Sequence, residues 1–190
     1  MQAKTQYLSE LDSRFGDGDH GITIGKIAAL IQEKVSQWEE AQDIKSFLDD
    51  LGMAIMEVRG GSAGPLYGTL IGGLGVDLND GENILDAEGV KRMFTGCLSE
   101  MEDITTAKVG DKTMMDALIP AVEAAQKTEG SVKDILEAAA KAAEGGAKDS
   151  EKYVSKFGRA RSYKEQTIGT PDAGAVSTSI FIRGLADGMK

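Results

Sequence analysis

The chain is poor in several residues that enzymes and scaffolds commonly depend on. Its 190 residues include one cysteine, Cys97, one histidine, His20, three prolines and one tryptophan. A lone cysteine excludes an internal disulfide framework and any multi-cysteine zinc site, and a protein that needs no disulfide suits a reducing, cytoplasmic setting. Any chemistry that needs an imidazole has only His20. Basic residues are outnumbered, 21 against 31 acidic ones, for a net charge of -10. A nucleic-acid binder needs a basic face to displace counterions, and an anionic lipid surface attracts basic clusters, so neither is expected as a partner. No apolar run approaches the ~20 residues of a membrane span. The start, MQAKTQYLSELD, lacks the apolar centre of a signal peptide. Runs that alternate β-branched and polar residues are also missing.

Helical periodicity fills most of the chain. Ile24, Ile27, Leu30, Ile31, Val35 and Trp38 form one stripe at three- and four-residue steps within Ile22 to Glu39. Phe47, Leu48, Leu51, Ile55 and Val58 repeat it within Ile44 to Arg59. Leu66 to Leu78 is apolar nearly all round and predicts a buried helix. Asp86 caps a helix to about Ile104, Asp111 caps one through Val122, and Ser131 with Asp134 opens a long Ala-rich helix from Val132 to Tyr153. Asp172 to Met189 reads as the last, and a short piece at Tyr7 to Leu11 brings the number to about eight. Gly145-Gly146 reads as a kink in the longest helix. No linker or repeat divides the chain, so residues 1–190 are expected to form one all-α domain.

Glycine is abundant, with 24 residues. Many of the glycines fall in four segments at helix ends: LDSRFGDGDHG, RGGSAGPLYG, KVGDKTMMDAL and GRARSYKEQTIGTPDAGA. Gly/Asp-rich loops on a helical scaffold are where function is expected. The first segment sets Asp12, Asp17 and Asp19 within eight positions. It formally matches G-x-G-x-x-G, but no strand precedes it, and aspartates stand where a pyrophosphate would sit. Bare carboxylate repels phosphate, by about 4 kcal/mol for unit charges 4 Å apart at an effective dielectric of 20. A divalent cation between them reverses the sign, and carboxylates completed by substrate phosphates and water suit Mg²⁺. An EF-hand fails because Ala28 stands at the twelfth position from Asp17. A Walker loop fails because Gly21 to Lys26 is one residue short and Ile27 replaces the Ser or Thr. Two readings stand: a metal site that receives a phosphate tail, or a solvated acidic turn that caps the next helix. His20 is either a ligand contact or a hydrogen-bonded loop residue.

In the second segment, Pro65 suits a first helical turn, and glycines let an anion approach exposed backbone N–H groups. Ser62 and Ala63 read as phosphate contacts, whereas Gly68 and Gly72 read as packing. Met114 and Met115 belong to the core, or one of them covers a flat base. Arg159 is a surface ion-pair partner or a phosphate clamp, and Asp172 is a helix cap or a ligand contact.

Taken together, L-D-x-x-x-G-D-G-D-H-G at Leu11–Gly21, G-G-S-A-G-P-L-Y-G at Gly60–Gly68, V-G-D-K-T-M-M-D-A-L-I-P at Val109–Pro120, and G-R-A at Gly158 with I-G-x-x-D-x-G-A at Ile168–Ala175 resemble the L domain of dihydroxyacetone kinases. The order of the four motifs makes the resemblance specific, and it covers nearly the whole chain. It implies an antiparallel eight-helix barrel with ADP at one end. It implies Mg²⁺, two ions expected, on Asp12, Asp17 and Asp19. Nucleotide contacts carry over to His20, Gly21, Ile22, Thr23, Ser62, Ala63, Met114, Arg159 and Asp172, with no catalytic side chain in this chain. A stand-alone L chain resembles the ADP-binding subunit of the phosphotransferase-system-dependent type. There tightly bound ADP is a coenzyme, a phosphohistidine protein is the phosphodonor, and a separate K subunit holds dihydroxyacetone. A non-catalytic nucleotide- or lipid-binding regulator and an ATP-exchanging kinase subunit are the alternatives, and a homodimer is left open. The chain departs from the family pattern at Gln166, where an Arg is usual, and at Ala173, where a Pro is common.

Overall fold

The computed structural model describes residues 1–39 and 42–189. Eight α-helices carry the described residues: α1 (Thr5–Asp12), α2 (His20–Ser36), α3 (Ile44–Met56), α4 (Ala63–Val76), α5 (Ala87–Ile104), α6 (Met115–Lys127), α7 (Val132–Asp149) and α8 (Ala173–Asp187). No strand occurs among them. Each helix packs on its neighbours in sequence, and α8 returns to α1 and closes the ring. The result is the expected antiparallel eight-helix barrel. Inside it, one continuous core runs from Leu8 and Ile24 through Tyr67, Leu70 and Phe94 to Met115, Ile135 and Ile182. No described helix is long and apolar enough to cross a membrane.

The caps explain several boundaries. Asp43, Asp86 and Asp172 each accept the backbone N–H three residues on, at the starts of α3, α5 and α8. Ser131 and Asp134 form a reciprocal capping box at the start of α7. The helices α3 and α4 pack closely for a steric reason. A Cβ on Gly52 would lie 2.7 Å from Gly72 Cα and 2.8 Å from the Gly68 carbonyl. The packing role expected for Gly68 and Gly72 is therefore observed, and Gly52 is the third member of that smooth seam.

Two local expectations are corrected, and the glycine pair leaves α7 unbroken. Asp111 does not cap α6, which begins at Met115; its carboxylate instead accepts the Lys108 N–H at 2.9 Å and pairs with Lys156 at 2.6 Å. Gly145-Gly146 does not interrupt α7, which is helical through both. Gly146 lets α7 close on the Asp116 carbonyl, which Pro120, lacking an N–H, leaves without its intrahelical partner. Finally, α7 stops at Asp149 rather than Tyr153. There the Ser150 hydroxyl bonds back to the Ala147 carbonyl at 2.6 Å and the chain tightens into a 3-10 turn at Ser150–Lys152. A second 3-10 stretch, Arg159–Thr167, lies within the expected loop before α8.

In an antiparallel ring, alternate connections fall at the same end. The α1–α2, α3–α4, α5–α6 and α7–α8 connections contain the four Gly/Asp-rich segments. Topology therefore gathers them.

Candidate functional site

The gathered segments line a cavity of about 480 Å³, within the range of small-molecule sites. Asp12 ends α1, Asp17 lies in the loop, and Asp19 precedes α2. One carboxylate oxygen from each lies within 4.8 Å of the others. Asp12 is held there by the Gly18 N–H, which donates to its Oδ2 at 2.8 Å. Burial, then the charges of Asp17 and Asp12, push the Asp19 carboxyl above the usual range. The Arg159 guanidinium pairs with Asp17 and holds its carboxyl below that range. Three converging carboxylates with one external cation form a hard-oxygen donor set, and their mutual repulsion is what a divalent ion relieves.

Opposite the acids, α4 begins at Ala63. The Ser62 side chain makes no cap to its own helix, and it is exposed. The first N–H groups of α4 thus lack an intrahelical partner beside the cavity. Gly60 and Gly61 approach it with φ of 153° and 50°. A Cβ on Gly60 would overlap the Thr23 hydroxyl, and one on Gly61 would sit 3.7 Å from both Asp19 carboxylate oxygens. The helix α2 likewise begins without a side-chain cap, whereas the first N–H groups of α6 are taken up locally, Met115 by the Thr113 hydroxyl at 3.2 Å and Asp116 by the Thr113 carbonyl at 3.0 Å. Two uncapped helix N-termini on one cavity provide a positive field for an anion.

The remaining expected residues divide. Met114 lines the cavity, while Met115 is fully buried in the core. Asp172 lines it too, accepting the Ala175 N–H at 2.7 Å as the cap of α8. Burial pushes its carboxyl up to about 7. Arg159 reaches the rim through its pair with Asp17. His20 Nε2 lies 2.9 Å from Ser177 Oγ, which in turn accepts from the buried Tyr67 hydroxyl at 2.7 Å. Burial pulls the His20 ring below its ordinary value, and it also bonds the Ala173 backbone.

Gly21, Ile22 and Thr23 are not part of the wall. Because α2 begins at His20, Gly21 packs on α1, Ile22 points outward with 59% of its surface exposed, and Thr23 is buried against Gly60.

Four features escaped the sequence reading. Phe15 and Tyr163, with ring centroids 5.2 Å apart, join the first connection to the last at the mouth. Tyr67 and Phe157 add apolar wall. The fully buried Asp116 braces the α5–α6 connection, accepting the Gly110 and Thr113 N–H groups at 2.6 Å each. Lys112 is buried with φ 61°. A charged pair, Lys112 and Asp116, at the start of an otherwise apolar helix was the one available signal.

Comparison with known proteins agrees with this geometry. A family model described as the DAK2 domain matches residues 14–187. The chain is 31% identical, over 100% of its length and 89% of the relative's, to the ADP-binding subunit DhaL of PEP-dependent dihydroxyacetone kinase 2 of Listeria innocua. It is 32% identical to the L-erythrulose kinase of Pectobacterium atrosepticum, over 97% of this chain but 32% of that longer protein. A crystal structure of the dihydroxyacetone kinase from C. freundii in complex with AMP-PNP and Mg²⁺ matches with a TM-score of 0.71 and 25% identity, over 98% of this chain and 31% of that one. The chain therefore spans most of a stand-alone subunit and about a third of the longer kinases. This chain belongs to the DAK2-domain family.

Proposed function

We propose that residues 1–190 form one nucleotide-binding domain that serves as the ADP-binding subunit of a dihydroxyacetone kinase. The observation that carries this is the convergence of Asp12, Asp17 and Asp19 opposite the uncapped start of α4. In this reading the three aspartates hold Mg²⁺, two ions in number. The free N–H groups at Ser62–Ala63 and the Ser62 hydroxyl bind phosphate oxygens. At the start of α2, Gly21 and Ile22 contribute backbone only. The Thr23 amide is already bonded to the Asp19 carbonyl at 3.0 Å, so Thr23 acts by packing under Gly60. Met114 covers the base, Asp172 fixes the start of α8 beside it, and Arg159 exchanges Asp17 for a phosphate oxygen. When bound, Mg²⁺ supplies charge neutralisation and ADP carries the phosphoryl group between a phosphohistidine donor protein and dihydroxyacetone on a separate K subunit. The protein's own contribution is to position and to neutralise.

No residue of this chain is phosphorylated in the cycle. His20 is committed to Ser177 and to the Ala173 backbone. Incubation with the phosphohistidine donor should place label on ADP, and label on His20 would refute the assignment. Mixing the chain with a K subunit and the donor should yield dihydroxyacetone phosphate. Binding of ADP without turnover in that mixture would leave a regulatory module. A second reading concerns the acceptor: the similarity to the L-erythrulose kinase favours testing erythrulose alongside dihydroxyacetone. Rapid exchange of bound ADP with added ATP would favour an ATP-dependent cycle.

A further inference from the structure

Lys112 does what surface lysines do not. Its residue is 4% exposed, and its backbone holds a left-handed φ of 61°. Its Nζ donates to three backbone carbonyls, Ser150 at 2.6 Å, Tyr153 at 3.1 Å and Thr170 at 2.6 Å. These use all three ammonium protons, and none of the acceptors is a carboxylate. Asp172, Asp116 and Glu151 supply negative charge nearby, while burial holds the ammonium below its ordinary value.

The three carbonyls belong to two stretches of the α7–α8 connection that lie on either side of the 3-10 segment. Lys112 itself sits in the α5–α6 connection, two residues before Met114. One side chain therefore ties together two of the four connections that line the cavity. Beyond Thr170 the chain runs directly to Asp172, and a Cβ on Gly174 would lie 3.4 Å from Met114 N. The Lys112 ammonium bonds neither the acidic trio nor the start of α4, and the α1–α2 connection reaches Thr170 separately, where Arg14 donates to its hydroxyl at 3.1 Å.

We propose that Lys112 is a positioning residue for the base end of the nucleotide: its carbonyl-caged ammonium holds Met114 against the start of α8. The proposal rests on the nucleotide-binding reading above. It distinguishes a phosphate side, built by the α1–α2 and α3–α4 connections with Arg159, from a base side, built by Met114 and the start of α8.

The test compares ADP with inorganic pyrophosphate, each with Mg²⁺, by calorimetry on the wild type and on Lys112→Met. The variant should bind ADP at least tenfold more weakly and pyrophosphate within twofold of the wild type. Lys112→Cys in a Cys97→Ala background, alkylated in the unfolded state with 2-bromoethylamine to rebuild an ammonium of near-native reach and then refolded, should recover ADP affinity to within threefold of the Cys97→Ala protein, because both positions are buried in the folded chain. Equal loss of both ligands, no loss of ADP, or no recovery on alkylation overturns the proposal. If Lys112→Met does not fold, Lys112→Gln takes its place, and failure of both to fold assigns Lys112 to the fold alone and overturns it. A wild type that binds neither ligand defeats the nucleotide reading itself, an outcome distinct from a variant that behaves as wild type.

Discussion

The two ends of the barrel are built from the same helices and finished in opposite ways. At the far end, α3, α5 and α7 start with side-chain caps from Asp43, Asp86 and Ser131. At the cavity end, α2 and α4 start with none, while Thr113 takes up the first N–H of α6 and Asp172 caps α8. Backbone strain divides the same way. Of the residues with left-handed φ, only Gly81 and Gly130 lie at the far end, whereas Lys112, Lys164 and the other such glycines lie around the cavity. The far end also closes on itself, with Lys45 to Asp80 at 2.8 Å and the Ile44 N–H to the Glu82 carbonyl at 2.9 Å. One end satisfies its donors internally. The other presents them, together with unneutralised acids, to a ligand that brings both cation and anion.

The contrast can be broken most severely at the acids. Asp19→Asn should lower ADP retention by two orders of magnitude or more at unchanged helical circular dichroism. It should also abolish the ligand-induced stabilisation, about 2.7 kcal/mol at a hundredfold excess over Kd. The ligand-free variant should melt no lower than the wild type, because burial and two neighbouring carboxylates already disfavour the Asp19 charge. A loss of fold would make the trio structural. Gly52→Ala should do the reverse, costing about 1–3 kcal/mol by overpacking the α3–α4 seam while ADP affinity of the folded fraction stays within twofold in a calorimetric titration.

The pH dependence sharpens the picture further. The Asp172 carboxyl is raised from 3.8 to about 7 in the folded protein, so the native state holds its proton where the unfolded chain has released it. Its contribution is fully present below pH 3.8 and is lost as pH rises towards 7, with a slope of up to about 1.4 kcal/mol per pH unit. Urea denaturation of Asp172→Asn, which retains a competent cap, should flatten that decline. The smallest effects come from the caps themselves. Ser131→Ala should cost about 1 kcal/mol and leave ADP binding alone. Ser62→Ala should change stability by less than about 0.5 kcal/mol and weaken ADP severalfold. If the two serines behaved alike in thermal melts and in calorimetry, the ends would not differ as argued.

Local chemistry was readable before the fold was known. The caps at Asp86, Ser131 and Asp172 act within three residues. The stripe from Ile24 to Ile31 repeats within two turns, whereas Val35 is exposed and Trp38 lies beyond the end of α2, and the acids at 12, 17 and 19 fall within eight positions. Asp111 misled because a capping residue type preceded a helical pattern, while Gly110 and Lys112 bend the backbone left-handed and delay the helix to Met115. The 3-10 segment at Arg159–Thr167 escaped because its residues carry no apolar period.

From residue order alone follow the all-helical class, the capped starts of α5, α7 and α8, and a carboxylate cluster suited to a divalent cation, since each depends on neighbours close along the chain. Closure of the ring decided the rest. It brings Arg159 to Asp17, His20 to Ser177 and the Lys112 ammonium to the Thr170 carbonyl. Such pairs are far apart along the chain, and only the packing of eight amphipathic helices around one core determines which loop ends meet.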